Sequence, residues 1–210
     1  MSRALAVALA DGLRLFRPYL EEGMRIAVTG THGSGKTTLI EDFVAAHPHY
    51  THVPEPYWEL VEAGAAFAAA PNVADMVQQL DHSAASLIAG AAIPDIIHDR
   101  CPLDLIAYIE VLAAVAGEEW IPSGRQLARI GKAIAGLDLI VFLPLGAPDD
   151  IRTKIELPRL RRQVDLRLKR LIADDELGLF PADLQIAALS GTPSTRLKEL
   201  ERRVFPSPDA

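Results

Sequence analysis

The sequence predicts an α/β fold in which helices cover both faces of a parallel β-sheet. Short β-branched or apolar segments alternate with longer amphipathic segments, which is typical of this class. Residues 137–145 are apolar almost throughout, as expected of a strand buried on both faces. A glycine-rich motif directly follows the first strand, at residues 25–29. At 210 residues, the chain is long enough to bury one full core.

The glycine-rich motif is Gly30-Thr31-His32-Gly33-Ser34-Gly35-Lys36-Thr37, which matches the phosphate-binding pattern G-x-x-x-x-G-K-[ST]. Its glycines let successive backbone N–H groups turn inward around a triphosphate at the start of the next helix. Lys36 would place a positive charge on the phosphates, Thr37 would offer its hydroxyl to Mg²⁺, and Thr38 would add a second hydroxyl. We therefore predict that ATP and Mg²⁺ bind here; the alternative is a glycine-rich turn with an accidental lysine. The predicted nucleotide-binding residues of this segment are Gly30, Gly33, Ser34, Gly35, Lys36, Thr37 and Thr38.

The remaining elements follow from periodicity and from the residues that begin or end them. Pro48 ends the helix that starts near Lys36, and Pro102 suits the first position of a later helix. Apolar residues recur every 3.6 residues over 73–91, which predicts a helix there. The other predicted helices cover residues 58–69, 102–117, 123–135, a segment after residue 163, and 194–204. The other predicted strands cover residues 51–53, 95–98 and 184–189.

The two ends of the chain lie outside the predicted domain, which covers residues 24–205. Apolar residues recur at helical spacing between residues 3 and 21, so segment 1–23 is predicted to form an amphipathic helix laid on the domain. Residues 206–210 are predicted to form a frayed tail.

Charge and cysteine content restrict the partners and the compartment. A net charge of −7 at pH 7 argues against nucleic acid as a partner, because binding driven by counterion release needs an excess of Lys and Arg. The single cysteine, Cys101, excludes an internal disulfide and fits the reducing cytoplasm, where we expect the protein. No apolar run approaches the length of a membrane helix, so no membrane partner is predicted. The sequence does not reveal the oligomeric state, and a homodimer is one assembly that it allows.

At three motifs the sequence resembles the small P-loop kinases of nucleosides and nucleotides, which include thymidylate kinases, deoxynucleoside kinases and the ribosylnicotinamide kinase domain of NadR proteins. The local likeness is strongest to the NadR-like ATPase domains. The motifs are residues 30–37, residues 96–104, and residues 189–191 followed by Arg196-Leu197, and the likeness spans residues 24–204. It implies a three-layer P-loop NTPase fold with a five-stranded parallel sheet in the order 2-3-1-4-5 and helices on both faces.

Two strand ends carry candidate catalytic residues. Asp99 could hold Mg²⁺ directly or through water, and Arg100 would then reach a phosphate or the accepting oxygen, as the Asp-Arg pair does in the look-alike kinases. The alternative is a salt-bridged turn pair. Glu55 lies between two prolines, and deoxynucleoside kinases carry a Glu-Pro pair at the corresponding strand end, where the glutamate takes the proton of the accepting hydroxyl. The alternative for Glu55 is a solvated loop acid.

The resemblance also assigns a lid and an adenine site. Residues 148–163 are rich in proline and basic residues, and P-loop kinases carry a mobile lid at this place. Arginines that close over the transferring phosphoryl group would neutralise its charge, and Arg159 and Arg162 are selected for this role. The alternative is a solvated basic helix start. Gly191, Thr192 and Pro193 match the loop that borders adenine, although any strand-to-helix turn could look like this.

These residues predict an ATP- and Mg²⁺-dependent phosphotransferase that acts on a nucleoside, a nucleotide or a similar small metabolite. Lys36, Glu55, Asp99, Arg100, Arg159 and Arg162 are the predicted catalytic residues, and Thr37 and Asp99 the predicted metal ligands. A hydroxyl acceptor benefits from a base such as Glu55, whereas a monophosphate needs arginines, so a hydroxyl is favoured. The predicted acceptor-pocket residues are Tyr57, Trp58, Gln78 and His82. The alternatives are a regulatory ATP-binding module that switches a partner protein and a polynucleotide 5′-kinase, which the acidic charge disfavours.

Overall fold

A five-stranded sheet forms the centre of the computed structural model, which describes residues 23–146 and 157–206. In these ranges, strands and helices alternate as predicted. The strands are β1 (Arg25–Thr29), β2 (Thr51–Val53), β3 (Ile96–Asp99), β4 (Leu139–Phe142) and β5 (Gln185–Ala188). The helices are α1 (Lys36–Ala46), α2 (Pro56–Glu62), α3 (Val73–Gly90), α4 (Pro102–Val115), α5 (Gly124–Ile134), α6 (Pro158–Asp174) and α7 (Pro193–Val204).

All neighbouring strands of the sheet are parallel, in the order β2-β3-β1-β4-β5. This confirms the predicted class and strand order. The central strand β1 pairs with β3 on one side and β4 on the other, and Val28 lies opposite Asp99. The loops that follow β1 and β3 therefore leave the sheet side by side at its carboxyl edge, where ligands of such sheets bind.

The two faces of the sheet bury two separate cores, because side chains of β1 point alternately to opposite faces. Ile26 and Val28 pack with apolar residues of α1 and α7, whereas Ala27 packs with residues of α3, α4, α5 and α6. Helices thus cover both faces, as predicted. Within the described ranges, no helix is both long and apolar enough to cross a membrane.

Two elements differ from the prediction. The helix predicted at 58–69 is α2, which ends at Glu62, because Gly64 adopts φ 92° and the N–H groups of Gly64 and Ala65 turn back to the carbonyls of Val61 and Leu60. The strand predicted at 137–145 is shorter, since β4 pairs with its neighbours only over Leu139–Phe142.

Three predicted segments lie wholly or partly outside the described residues. The N-terminal amphipathic helix falls in residues 1–22, and the last residues of the predicted tail are 207–210. Residues 147–156 contain most of the predicted lid. Its remaining residues, 157–163, lead into and form the first turns of α6.

Candidate active site

The glycine-rich loop connects β1 to the first turn of α1 and needs glycine at positions where any side chain would collide. Gly30 has φ 152°, and a Cβ atom there would lie 2.8 Å from the carbonyl oxygen of Leu143. Gly35 is the residue before α1 and has φ 91°, in the left-handed region. The loop therefore enters the helix in a backbone conformation that would be strained for any residue with a side chain.

Cationic side chains bind four consecutive carbonyl groups of this loop. Lys36 Nζ donates to the carbonyl oxygen of Thr31 at 3.1 Å. Arg161 Nε and Nη2 donate to the carbonyls of His32 and Gly33 at 2.6 and 3.0 Å. Arg196 Nη1 donates to the carbonyl of Ser34 at 2.7 Å. The backbone N–H groups of Gly33, Gly35 and Lys36 donate no hydrogen bond to any group in the described part of the chain. They therefore remain available to an anion.

Helix α4 contacts the loop through two side chains, Asp104 and Tyr108, that were not predicted as site residues from the sequence. Asp104 is fully buried and accepts hydrogen bonds from the N–H groups of Gly30 and Cys101, at 2.7 and 2.9 Å. The hydroxyl of Tyr108 accepts from the N–H of His32 at 2.9 Å. Asp104 and Tyr108 are four positions apart on α4, which begins two residues after Arg100. This spacing places both side chains on one face of the helix, and it is the signal in the sequence that could have identified them.

Thr37 and Asp99 form a pair that fits a magnesium ion. Thr37 Oγ1 donates to Asp99 Oδ2 at 3.0 Å, and the other oxygen, Oδ1, is buried without a hydrogen-bond partner. A hydroxyl beside a carboxylate with a spare oxygen is the protein share of a site that Mg²⁺ completes with phosphates and water. In the described ranges, no group of three or more His, Cys, Asp or Glu side chains could hold a metal ion without such help.

Glu55 and Arg100, which follow β2 and β3, form an ion pair with Nε and Oε1 2.5 Å apart. Arg100 is buried, has φ 83° and lies with its guanidinium carbon 5.6 Å from the ring centroid of Tyr108. Burial alone would raise the pKa of Glu55, but the charges of Arg100 and Lys36 lower it below its usual range. Burial would lower the pKa of Arg100, and Glu55 raises it above its usual range. Both groups are therefore charged at neutral pH.

Two cavities border the glycine-rich loop, and Arg161 lines both. The larger cavity has a volume of about 480 Å³. Its lining includes Gly33, Ser34, Gly35, Thr38, Leu145, Gly191, Thr192, Pro193 and Arg196. The smaller cavity has a volume of about 190 Å³. Its lining includes His32, Glu55, Tyr57, Met76, Gln79, Arg100, Leu105, Tyr108 and Leu160.

The segment that carries the glycine-rich loop, Thr37 and Asp99 also matches a known family. The sequence model described as AAA domain matches residues 25–173, which is more than half of the chain. The chain belongs to the AAA domain family. No curated protein matches it significantly.

Solved structures of P-loop kinases have the same fold as this AAA domain protein. Deoxyadenosine kinase from M. mycoides with bound dATP superposes with a TM-score of 0.60 at 14% identity, over 86% of this chain and 98% of that one. Thymidylate kinase from Candida albicans gives 0.59 at 14% identity, over 87% and 91%. NadR in complex with NAD and AMP-PNP gives 0.59 at 16% identity, over 98% of this chain and 59% of that one. The predicted resemblance to nucleoside and nucleotide kinases is thereby confirmed, and at these identities it concerns the fold.

The AAA domain places most of the predicted site residues together, and their roles remain predictions. The glycine-rich loop, Thr37, Thr38 and Asp99 lie at the carboxyl edge of the sheet, and Glu55 and Arg100 line the smaller cavity. Gly191, Thr192 and Pro193 line the larger cavity. Arg159 and Arg162 are exposed on the first turns of α6. The residue that contacts the loop is Arg161, which lies between them in the sequence.

The predicted acceptor-pocket residues are placed less well. Tyr57 lines the smaller cavity, whereas Trp58 is 57% exposed. Gln78 is exposed and the next residue, Gln79, is buried at the cavity, because one step along a helix turns the side chain by about 100°. His82 pairs with Glu59 of α2 at 3.0 Å and does not line the cavity.

Proposed function

We propose that the protein is an ATP- and Mg²⁺-dependent kinase that transfers the γ-phosphoryl group of ATP to a hydroxyl group of a nucleoside-type metabolite. The observation that carries this proposal is the meeting of two cavities at one phosphate-binding loop. A transfer reaction needs a donor and an acceptor on the two sides of the transferring group, and this arrangement provides a place for each.

The larger cavity suits ATP. The glycine-rich loop and the start of α1 offer backbone N–H groups and a helix dipole to the phosphates. Gly191 and Pro193 lie across the same cavity, where a base can pack against backbone and a proline ring. Thr37 and Asp99 would hold Mg²⁺, which when bound neutralises part of the phosphate charge. Two of the similar structures contain dATP and AMP-PNP, which supports a nucleotide as a ligand of this protein.

The smaller cavity suits a neutral acceptor, because the charges of its two arginines are already engaged by protein groups. Nη1 of Arg100 makes no hydrogen bond to any described residue but lies 3.8 Å from Asp104 Oδ1. Arg100 is paired with Glu55, and Arg161 donates to two loop carbonyls. A phosphorylated acceptor would need unused positive charge, whereas a hydroxyl needs a hydrogen-bond acceptor such as Glu55. Gln79 is buried and lines the cavity together with Met76 and Leu105, where its amide provides polar recognition beside apolar side chains.

The proposal is tested by measuring ADP release from ATP with a panel of nucleosides, deoxynucleoside monophosphates and nicotinamide riboside. We expect stimulation by at least one unphosphorylated nucleoside of the panel, and none by the deoxynucleoside monophosphates. Glu55→Gln keeps an oxygen for Arg100 and should lower kcat at least 100-fold with little change in the Kd for ATP. The exposed Glu62→Gln is the matched control. No stimulation by any acceptor would favour the regulatory module instead.

A further inference from the structure

We propose that Arg161 and Arg196 are positioning residues that hold the glycine-rich loop in its anion-binding conformation before a nucleotide arrives. This inference deepens the proposed function and rests on it in one respect only, that the loop binds a polyphosphate. It gives the two arginines a role on the protein backbone and not on the transferring phosphoryl group.

The first support is the order of the contacts. The carbonyls of His32, Gly33 and Ser34 are consecutive, and all three accept from guanidinium groups, at 2.6, 3.0 and 2.7 Å. Arg161 is 3% exposed, and its own carbonyl accepts from Thr31 Oγ1 at 3.2 Å. The loop and the first turns of α6 therefore hold each other through contacts in both directions.

The second support is the electrostatics of a peptide group. Each peptide carries a carbonyl dipole opposite to its N–H, so a carbonyl that rotates into the loop would present negative charge to a phosphate and remove a donor. A charge-assisted hydrogen bond is about twice as strong as a neutral one and strongly favours the outward orientation. Preorganised donors bind better because no reorganisation opposes binding.

The third support is that the two arginines come from helices far from the loop in the sequence. Arg161 lies in the first turn of α6, 129 and 128 residues from the two carbonyls that it binds. Arg196 lies in α7, 162 residues from the carbonyl of Ser34. Gly35 leaves just enough room for Arg196, since a Cβ atom on Gly35 would lie 3.0 Å from Arg196 Nη1. The conformation of the loop thus depends on the packing of two distant helices.

The inference predicts that both nucleotides are affected alike. ADP and ATP place the same two phosphates in the loop, so loss of a positioning residue should raise the Kd for both by the same factor. An arginine that acts on the transferring group would instead lower kcat and leave ADP binding intact. The split between Kd and kcat therefore separates the two roles.

The experiment compares Arg161→Met and Arg196→Met with the exposed control Arg170→Met, which removes the same charge from α6. Calorimetry with Mg²⁺ gives the Kd for ADP, ATP and inorganic tripolyphosphate, and thermal unfolding without ligand reports on the fold. We expect Arg161→Met and Arg196→Met to raise all three Kd values roughly tenfold or more, by a larger factor than any fall in kcat, and Arg170→Met to leave the Kd values unchanged. Arg161→Lys, which keeps the charge but loses the two-pronged geometry, should resemble Arg161→Met.

An unchanged Kd for ADP in Arg161→Met would overturn the inference, whether or not kcat falls. If that variant does not fold, Arg196→Met, which removes a single contact, decides the question by the same criterion. Failure of the proposed kinase function would give a different result in these measurements, because the binding of ADP and tripolyphosphate needs no acceptor. A protein that binds ADP but phosphorylates nothing would disprove the kinase and leave the positioning role to be judged by the same Kd values.

Discussion

Asp104 accepts a 2.7 Å hydrogen bond from the backbone N–H of Gly30, although the two residues are 74 positions apart. Its second oxygen accepts from the N–H of Cys101 at 2.9 Å. One buried carboxylate therefore joins the start of the glycine-rich loop to the turn that carries Asp99 and Arg100. Burial raises the pKa of Asp104, against the opposing charges of Arg100 and Lys36.

Asp104→Asn should destabilise the protein, because the amide can accept only one of the two hydrogen bonds and its NH₂ group faces the other donor. We expect the free energy of unfolding to fall by about 1–3 kcal/mol. Urea denaturation measures this change. The control is Asp174→Asn, which removes the same negative charge from an exposed position. Equal stability of the two variants would show that Gly30 does not depend on this carboxylate.

Tyr108→Phe should loosen the loop while keeping the ring that lines the smaller cavity. The substitution leaves the N–H of His32 without its 2.9 Å partner, at a cost of about 1 kcal/mol or more, and should weaken ADP binding. The ring stays under the guanidinium of Arg100, so the pairing of Arg100 with Glu55 is retained. Urea denaturation and calorimetry with ADP test the two effects, and Tyr108→Leu, which also removes the ring, should in addition lower kcat.

Nucleotide binding should become dependent on pH above about pH 8. Burial and the charge of Arg100 lower the pKa of Lys36 to about 8, and a bound polyphosphate will raise the pKa again. Below this pKa the free protein already holds the proton, so the affinity is constant. Above it, binding requires uptake of a proton, and the Kd for ADP should rise by up to about tenfold per pH unit.

This pH dependence can be measured by calorimetry between pH 7.5 and 9.5 in two buffers of different ionisation enthalpy. Lys36→Arg should bind ADP more weakly but with a flat profile, because a guanidinium does not titrate in this range. A flat profile in the unmodified protein would contradict the lowered pKa.

Stability should fall on mild acidification because of His98, which is buried on β3. Burial, with a smaller contribution from His52, lowers the pKa of His98 to about 4, whereas in an unfolded chain it is about 6.5. As the pH falls below 6.5, the unfolded chain gains a proton that the native protein lacks. Stability is therefore present above pH 6.5 and is lost towards pH 4, by up to about 1.4 kcal/mol per pH unit.

The test of this contribution is His98→Met, which replaces the ring with a side chain that does not titrate. Between pH 7.5 and 5.5 the variant should lose about 1 kcal/mol less free energy of unfolding than the unmodified protein. The comparison uses the change with pH, so a constant cost of the substitution does not affect it. Identical losses would assign the acid sensitivity to other groups.

The sequence was sufficient for the parts of the site that are contiguous and follow strands. The glycine-rich motif and Asp99 could be predicted because β1 and β3 end at the same edge of a parallel sheet. Glu55 and Arg100 were both selected, but not as a pair, because their contact depends on the neighbouring positions of β2 and β3. The strand order was implied only by the resemblance.

The contacts of α6 could not be predicted from a cluster of basic residues. The helix starts at Pro158 after Leu157, which has φ 49°, and this start sets which residues face the loop. Arg161 is consequently buried, whereas Arg159 and Arg162 are exposed. If the helix began one residue later, a different arginine would face the loop. The same sensitivity explains the error on α3, where Gln79 is buried and the predicted Gln78 is exposed.

The two cavities share Arg161 but are otherwise lined by different residues, so the lining of neither cavity requires the other to be filled first. For the proposed kinase, donor and acceptor would then bind in either order, and no phosphorylated form of the protein would be needed between them. Initial-rate measurements at varied concentrations of both compounds should then give intersecting reciprocal lines, the kinetic pattern of random-order encounter and one direct transfer.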